Sequence, residues 1–326
     1  MNSHLSNRIQ GLSESQTIAM AKKAREMREA GLSIINLSLG EPDFDTPDFI
    51  KAAAIQAIHE NFSRYTAVPG HKELQEAIAH KFKRDNGLDY APSQIVSSTG
   101  AKQSIVNVMM SLLNPGDEVL VPAPFWVSYV EMIKLAEGVP VIVPAGIDQD
   151  FKINAEQLKA HISPKTKLFI FSSPCNPTGA VYHQDELEAL AKVFNEHPEI
   201  FVISDEIYEH INFGDQHISM ASIPGMYDRT ITVNGVSKAF AMTGWRLGYI
   251  GAPQWIADAC VKMQGQVTSA TSSITQKAAL AAVNADPSVT HKMRDTFKLR
   301  RDLVHSHLTA FPGVQCPLPD GAFYLF

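Results

Sequence analysis

From residue 95 to residue 250 the chain repeats one pattern, a short β-branched apolar run followed by a stretch with helical spacing. The runs fall at 95–98, 118–121, 139–143, 168–172, 200–204, 230–233 and 247–250, and helical segments at 102–113, 127–135 and 185–196 separate several of them. Each run must bury apolar side chains. Strands joined by helices do so as a largely parallel sheet between helical layers. The pattern therefore predicts an α/β fold, and 326 residues are enough for a large core with additions.

The flanking regions read differently. Residues 17–30 show helical periodicity, with Ile18, Ala21, Ala24 and Met27 on one face and Gly31 as the stop. Residues 34–39 read as a short strand. Thr46 and Pro47 open a helix to about residue 61, with Thr46 as cap. Another helix spans 71–86 and is closed by Gly87. After Pro253, helices are expected at 255–264, 275–283 and 289–310, with few strand signals.

Bulk properties narrow the function. A net charge of −6 argues against nucleic acid as the main partner. No apolar run approaches the length of a membrane span, and the N-terminus lacks the apolar core of a secretory signal. The expectation is a cytoplasmic protein without a membrane partner. Cys175, Cys260 and Cys316 lack disulfide or metal spacing, and the 12 histidines are scattered, so no metal is expected. Nothing matches a Ser-His-Asp triad or a glycosidase carboxylate pair.

Chemistry concentrates in Ser237-Lys238-Ala239-Phe240-Ala241-Met242-Thr243-Gly244-Trp245-Arg246-Leu247-Gly248. A lysine amine forms Schiff bases with aldehyde cofactors. Ser237 and Arg246 suit a phosphate, the arginine as a planar fork. Gly100-Ala101-Lys102 opens a helix after a strand, where backbone N–H groups bind phosphate. Asp205 ends the apolar run 200–204, at the edge where such sheets present functional groups. Its neighbour Glu206 reads as a cap or surface residue with no role.

Further segments accompany the lysine stretch in a fixed order: Gly40-Glu41-Pro42-Asp43-Phe44-Asp45-Thr46-Pro47, Tyr65-Thr66-Ala67-Val68-Pro69-Gly70, Gly100-Ala101-Lys102-Gln103, Pro124-Phe125-Trp126-Val127-Ser128-Tyr129, Asn176-Pro177-Thr178-Gly179 and Ser204-Asp205-Glu206-Ile207-Tyr208-Glu209. From about residue 9 to the last, the chain resembles the class I pyridoxal-phosphate aminotransferases of fold type I, most of all their bacterial aspartate aminotransferase branch. The resemblance implies a large domain with a mostly parallel sheet at 46–285, an N-terminal segment at 1–45 that partly joins a smaller domain, and the start of that α/β domain at 286–326, incomplete here. Residues 320–326 would open its first strand.

The resemblance also implies the roles. Pyridoxal 5′-phosphate is the cofactor and Lys238 its aldehyde's partner and the proton carrier. Asp205 holds the pyridine nitrogen, Asn176 and Tyr208 the phenolic oxygen, and Trp126 stacks on the ring. Gly100, Ala101, Lys102, Ser237 and Arg246 form the phosphate cup, completed by Tyr65 from a neighbouring subunit, so the enzyme would be a homodimer with shared sites. Gly40, Trp126 and Asn176 face the substrate. Lys102, Ser15 and Thr17 suit a distal carboxylate. The family's arginine for the substrate α-carboxylate has no counterpart; Arg294, Arg300 and Arg301 read as surface charges. The expected reaction is L-aspartate with 2-oxoglutarate giving oxaloacetate and L-glutamate. Alternatives are transamination of prephenate or another amino acid, and a cofactor-binding module or inactive fragment without turnover.

Overall fold

The computed structural model describes residues 4–14, 16–37, 39–214 and 216–326, with only the backbone of residues 17 and 18. Its N-terminal part is helical: α1 (Asn7–Gln10), α2 (Gln16–Glu29), α3 (Asp48–His59) and α4 (Lys72–Asn86). The alternating part follows as β1 (Ile95–Ser98), α5 (Ala101–Leu112), β2 (Glu118–Ala123), α6 (Ser128–Leu135), β3 (Val139–Pro144), α7 (Ala155–His161), β4 (Thr166–Ser172), α8 (Gln184–Glu196), β5 (Phe201–Asp205), β6 (Thr230–Gly235) and β7 (Gly248–Gly251). The chain continues through α9 (Gln254–Val267), α10 (Ser273–Asn284) and α11 (His291–Thr309).

The strands form one seven-stranded sheet in the order β1-β7-β6-β5-β4-β2-β3. Strands β2 to β6 run parallel, while β7 is antiparallel to both β6 and β1. Period-two alternation divides the core. Leu168 and Ile170 face a layer that includes Ile105 of α5 and Ile256 of α9, whereas Phe169 and Phe171 face Leu187 and Phe194 of α8. Because both faces are covered, β4 and β5 read as continuous apolar runs. The edge strand β3 is half-exposed and carries Pro140 and Pro144, as an edge tolerates. Parallel strands end on the same side, so the segments after β2, β4, β5 and β6 gather at one carboxyl edge.

Several sequence expectations are corrected. Residues 34–39 form no strand among those described: Ile35 is 86% and Leu37 92% exposed, so this apolar run packs against no sheet within the chain. Thr46 does not cap α3. Pro47 stands at the cap, and the Thr46 hydroxyl donates to the Ala241 carbonyl (2.8 Å) and accepts from Trp245 Nε1 (3.1 Å). It ties the start of α3 to the lysine segment. Helix α7 escaped the periodicity reading because it is only seven residues long, although Asn154 and Gln157 form a reciprocal capping box. Residues 320–326 form only a bridge between Gly321 and Asn212.

Glu206 is neither cap nor surface. It is fully buried, accepting from Ser204 Oγ (2.8 Å) and Ser219 Oγ (2.7 Å), with His217 Nε2 at 3.0 Å. Neighbouring Glu209 is paired with Lys81, Asn86 and His210. Two of the scattered histidines thus meet buried acids, which is how a charge is tolerated in a core. Arg301 is also no surface charge: its Nη1 donates to the Pro319 carbonyl (2.7 Å) and its guanidinium lies 4.8 Å from the Phe213 ring centroid. Arg300 pairs with Asp43 at 2.6 Å and Arg294 with Asp295 at 2.8 Å. No described helix is long and apolar enough to cross a membrane.

Candidate active site

At the carboxyl edge lies a cavity of about 500 Å³. Its walls come from the segments following β2, β4, β5 and β6, from the start of α5, and from two distant stretches around Gly40 and Tyr324. Lys238 follows β6 in a turn closed by the Met242 N–H bonding to the Ser237 carbonyl (3.1 Å). Its Nζ donates to the Gly40 carbonyl at 2.6 Å. Burial pushes the amine down from its usual 10.5 to about 8; Glu41 opposes this, Arg246 adds to it, and Asp205 opposes it. A lysine in this state is available as a nucleophile and base near neutral pH.

Asp205 ends β5 opposite Ser172 of β4 and is buried. Tyr129 donates its hydroxyl to Asp205 Oδ2 (2.7 Å), and the Ile207 N–H reaches Oδ1 (3.3 Å). Burial raises the carboxyl to about 6, against the lowering effect of those two donors. The group is anionic above that pH and can hold a proton on a ring nitrogen. Tyr129 belongs to α6, and its ring meets Trp126 edge-on at 5.5 Å. Trp126 lies just before α6, and the Tyr129 N–H bonds to its carbonyl (3.0 Å), so one turn holds both rings.

A cationic corner forms where the start of α5 meets Arg246. Gly100 has φ +86°, and a Cβ there would collide with the Arg246 guanidinium. A Cβ on Gly248 would meet the backbone of Ala101. The two glycines therefore let Arg246 and the start of α5 approach each other closely. No side chain caps α5, whose first N–H groups thus stand without a side-chain acceptor beside a cation. Ser237 lines the same cavity, as do Ala101 and Lys102. Lys102 donates to Ser128 Oγ (3.1 Å) and lies 4.7 Å from the Trp126 ring centroid. Burial, then Arg246, lowers its pKa.

A third corner joins Asn176 and Tyr208. Asn176 Nδ2 donates to the Tyr324 hydroxyl (3.2 Å), and the Tyr208 and Tyr324 hydroxyls are 2.6 Å apart. Tyr324 also lies so close to Gly40 that a Cβ on that glycine would overlap it. Asn176 and Tyr208 converge on a phenolic oxygen within this chain, so they fit the phenolic oxygen of a pyridoxal ring. The half-buried amine, the acid and the cationic corner fit its aldehyde, its nitrogen and its phosphate. The residues present match that cofactor.

Of the residues expected from sequence, Lys238, Asp205, Tyr208, Asn176, Trp126, Gly100, Ala101, Lys102, Ser237, Arg246 and Gly40 converge here. Tyr65 does not: it is 97% exposed and outside the cavity lining. Ser15 lies outside the described residues, as does the side chain of Thr17. Cys175 approaches the Pro124 carbonyl (3.8 Å) beneath the site, and burial raises its thiol pKa. Sequence reasoning gave no role to Tyr129 and Tyr324. The first carried a weak signal, its helical spacing from Trp126; the second carried none.

A family model described as aminotransferase class I and II matches residues 33–326. The chain is 51% identical over 324 residues to an aspartate/prephenate aminotransferase of Cereibacter sphaeroides, covering 99% of this chain and 81% of that one. It is 49% identical to a bifunctional aspartate aminotransferase and glutamate/aspartate-prephenate aminotransferase of Petunia hybrida, covering 99% and 68%. Among solved structures, the aspartate aminotransferase of Rhizobium meliloti superimposes with a TM-score of 0.95 at 42% identity, covering 98% of this chain and 81% of that one. The Thermus thermophilus aspartate aminotransferase with maleate gives 0.95 at 41% identity, covering 98% and 84%.

Proposed function

Because the chain belongs to the class I and II aminotransferases, we propose that it uses pyridoxal 5′-phosphate to transfer the amino group of L-aspartate to 2-oxoglutarate. The observation that carries this reading is the half-buried Lys238 amine facing a cavity that also holds Asp205, Asn176, Tyr208 and Arg246. The bound cofactor supplies an aldehyde for the amino group and a ring that accepts electrons from the substrate α-carbon. The protein's own groups do the rest.

With the cofactor bound, Lys238 would be the base for the substrate α-proton and the acid that returns it two bonds away, across the amino nitrogen. Its lowered pKa suits both halves of that task, and the Gly40 carbonyl holds the amine in place between them. Asp205, anionic above about pH 6 and oriented by Tyr129, would keep the ring nitrogen protonated. Arg246 and the start of α5 would anchor the phosphate, and Trp126 would form a wall for the ring. Lys102 is a second cation in the cavity, suited to the distal carboxylate of a dicarboxylic substrate. Prephenate carries a second carboxylate too, and the naming of several relatives makes it the second acceptor to test.

In the same reading, residues 46–285 form the cofactor-binding domain, 1–45 is an N-terminal segment that partly joins the smaller domain, and 286–326 begins that smaller domain. Gly40 and Tyr324 reaching the cavity from outside 46–285 supports this. A homodimer with Tyr65 serving the partner's phosphate site is supported by the exposure of Tyr65 and of the nearby apolar Ile55 and Ile58. Sedimentation at micromolar concentration is expected to give a dimer; a monomer with full turnover would remove the shared-site reading.

The reading is tested by the visible absorption of the chain mixed with pyridoxal phosphate. The protein-bound band is expected to disappear with L-aspartate and return with 2-oxoglutarate. Its return with prephenate adds that acceptor. A band that no amino donor alters rules out transamination by this chain.

A further inference from the structure

We propose that Tyr324 is a positioning residue for Asn176 and Tyr208, its hydroxyl setting the direction in which those two side chains present hydrogens to the cavity. This rests on the reading above, in which the pair receives the cofactor's phenolic oxygen.

The hydrogen count carries the argument. Asn176 Nδ2 donates one hydrogen to the Tyr324 oxygen. The Tyr324 and Tyr208 hydroxyls lie 2.6 Å apart, and either can donate to the other. With Tyr324 donating, the direction we assign once the cofactor's oxygen is present, Tyr208 keeps its own hydrogen for that oxygen, while the Asn176 amide reaches both tyrosine hydroxyls. Without the Tyr324 hydroxyl, the Tyr208 O–H is free to rotate about its C–O bond, and the Asn176 amide loses an anchor. Burial pushes the Tyr324 phenol up to about 12, so it remains a donor across the working range.

The backbone places this hydroxyl firmly. The Gly321 N–H bonds to the Gly179 carbonyl (2.9 Å), on the loop that carries Asn176. The Ala322 N–H bonds to the Ile211 carbonyl, and the Phe213 N–H to the Asp320 carbonyl, both at 2.7 Å, just beyond Tyr208. A Cβ on Gly321 would come within 2.6 Å of Pro174, so the segment fits only as glycine. Phe323 stacks on Phe297 of α11 at 4.9 Å. The segment is therefore stitched to the two loops whose side chains it would orient, and braced from behind by a helix. A tyrosine that merely filled space would not need its oxygen between the Asn176 amide and the Tyr208 hydroxyl.

The test is Tyr324→Phe in the full chain, which keeps the ring. Dissociation constants are measured by tryptophan quenching for pyridoxal phosphate and for its 3-deoxy analogue, which lacks the phenolic oxygen. The variant is expected to bind pyridoxal phosphate roughly three- to tenfold more weakly, the worth of one hydrogen bond, and to bind the analogue as the parent does. Equal weakening of both ligands would mean a structural role and overturn the proposal, as would unchanged or tighter binding of pyridoxal phosphate. A parent chain that binds neither ligand would overturn the cofactor reading itself, and this proposal with it.

Discussion

Lys238→Ala is expected to lower transamination by about 10⁴-fold or more, because one side chain supplies both the nucleophile and the moving proton. The loss should fall on kcat, since in the proposed reading Arg246, Asp205 and the start of α5 would still hold the cofactor. Visible spectra of the variant are expected to show bound cofactor without the shifted band of the lysine-linked form. Turnover within tenfold of the parent would reject the lysine assignment. The parent carries a matching pH signature. Only the neutral amine attacks an aldehyde, and burial has brought Lys238 to about 8. The rate of cofactor uptake by the apoprotein should therefore rise with pH, with a midpoint near 8. A midpoint close to the ordinary 10.5 would mean that the amine is solvated.

Asp205→Asn is expected to move activity and stability in opposite directions. Activity should fall by about 10³-fold, the scale on which a fixed electrostatic partner contributes to a transition state. Stability of the apoprotein should rise at neutral pH. The folded carboxyl titrates at about 6, above its ordinary 3.8. Between those values the native state binds a proton that the unfolded chain has released. Stability therefore falls as pH rises through this window, and the full penalty stands above about 6. A two-unit displacement corresponds to at most about 3 kcal/mol. Asparagine removes the charge while its amide oxygen still accepts from Tyr129. Thermal melts of the two apoproteins should therefore differ at pH 8 and converge near pH 4. A variant less stable than the parent at pH 8 would show that the buried charge is compensated in a way the Tyr129 and Ile207 donors do not account for.

These outcomes rest on features of different legibility. The lysine segment, the strand that delivers Asp205 and the glycine turn before α5 were readable because each is a local pattern. A run such as 200–204 announces a buried strand through its own composition, and a parallel sheet puts its end at the functional edge whatever the loops do. The same reasoning failed at 34–39, where an apolar run finds no partner strand, and at Glu206, whose burial depends on Ser219 and His217 from a later loop.

What the sequence by itself determined, then, is the α/β sheet, the family resemblance and most of the side chains that meet at the cavity. Tertiary structure alone decided their states. The Lys238 amine meets the Gly40 carbonyl across 198 residues, and the Tyr208 hydroxyl meets that of Tyr324 across 116. Hydrophobic periodicity is a property of neighbours within a few residues. A shifted pKa or a shared hydrogen bond depends on which distant segments exclude water from the same few ångströms, and only the folded chain brings those together.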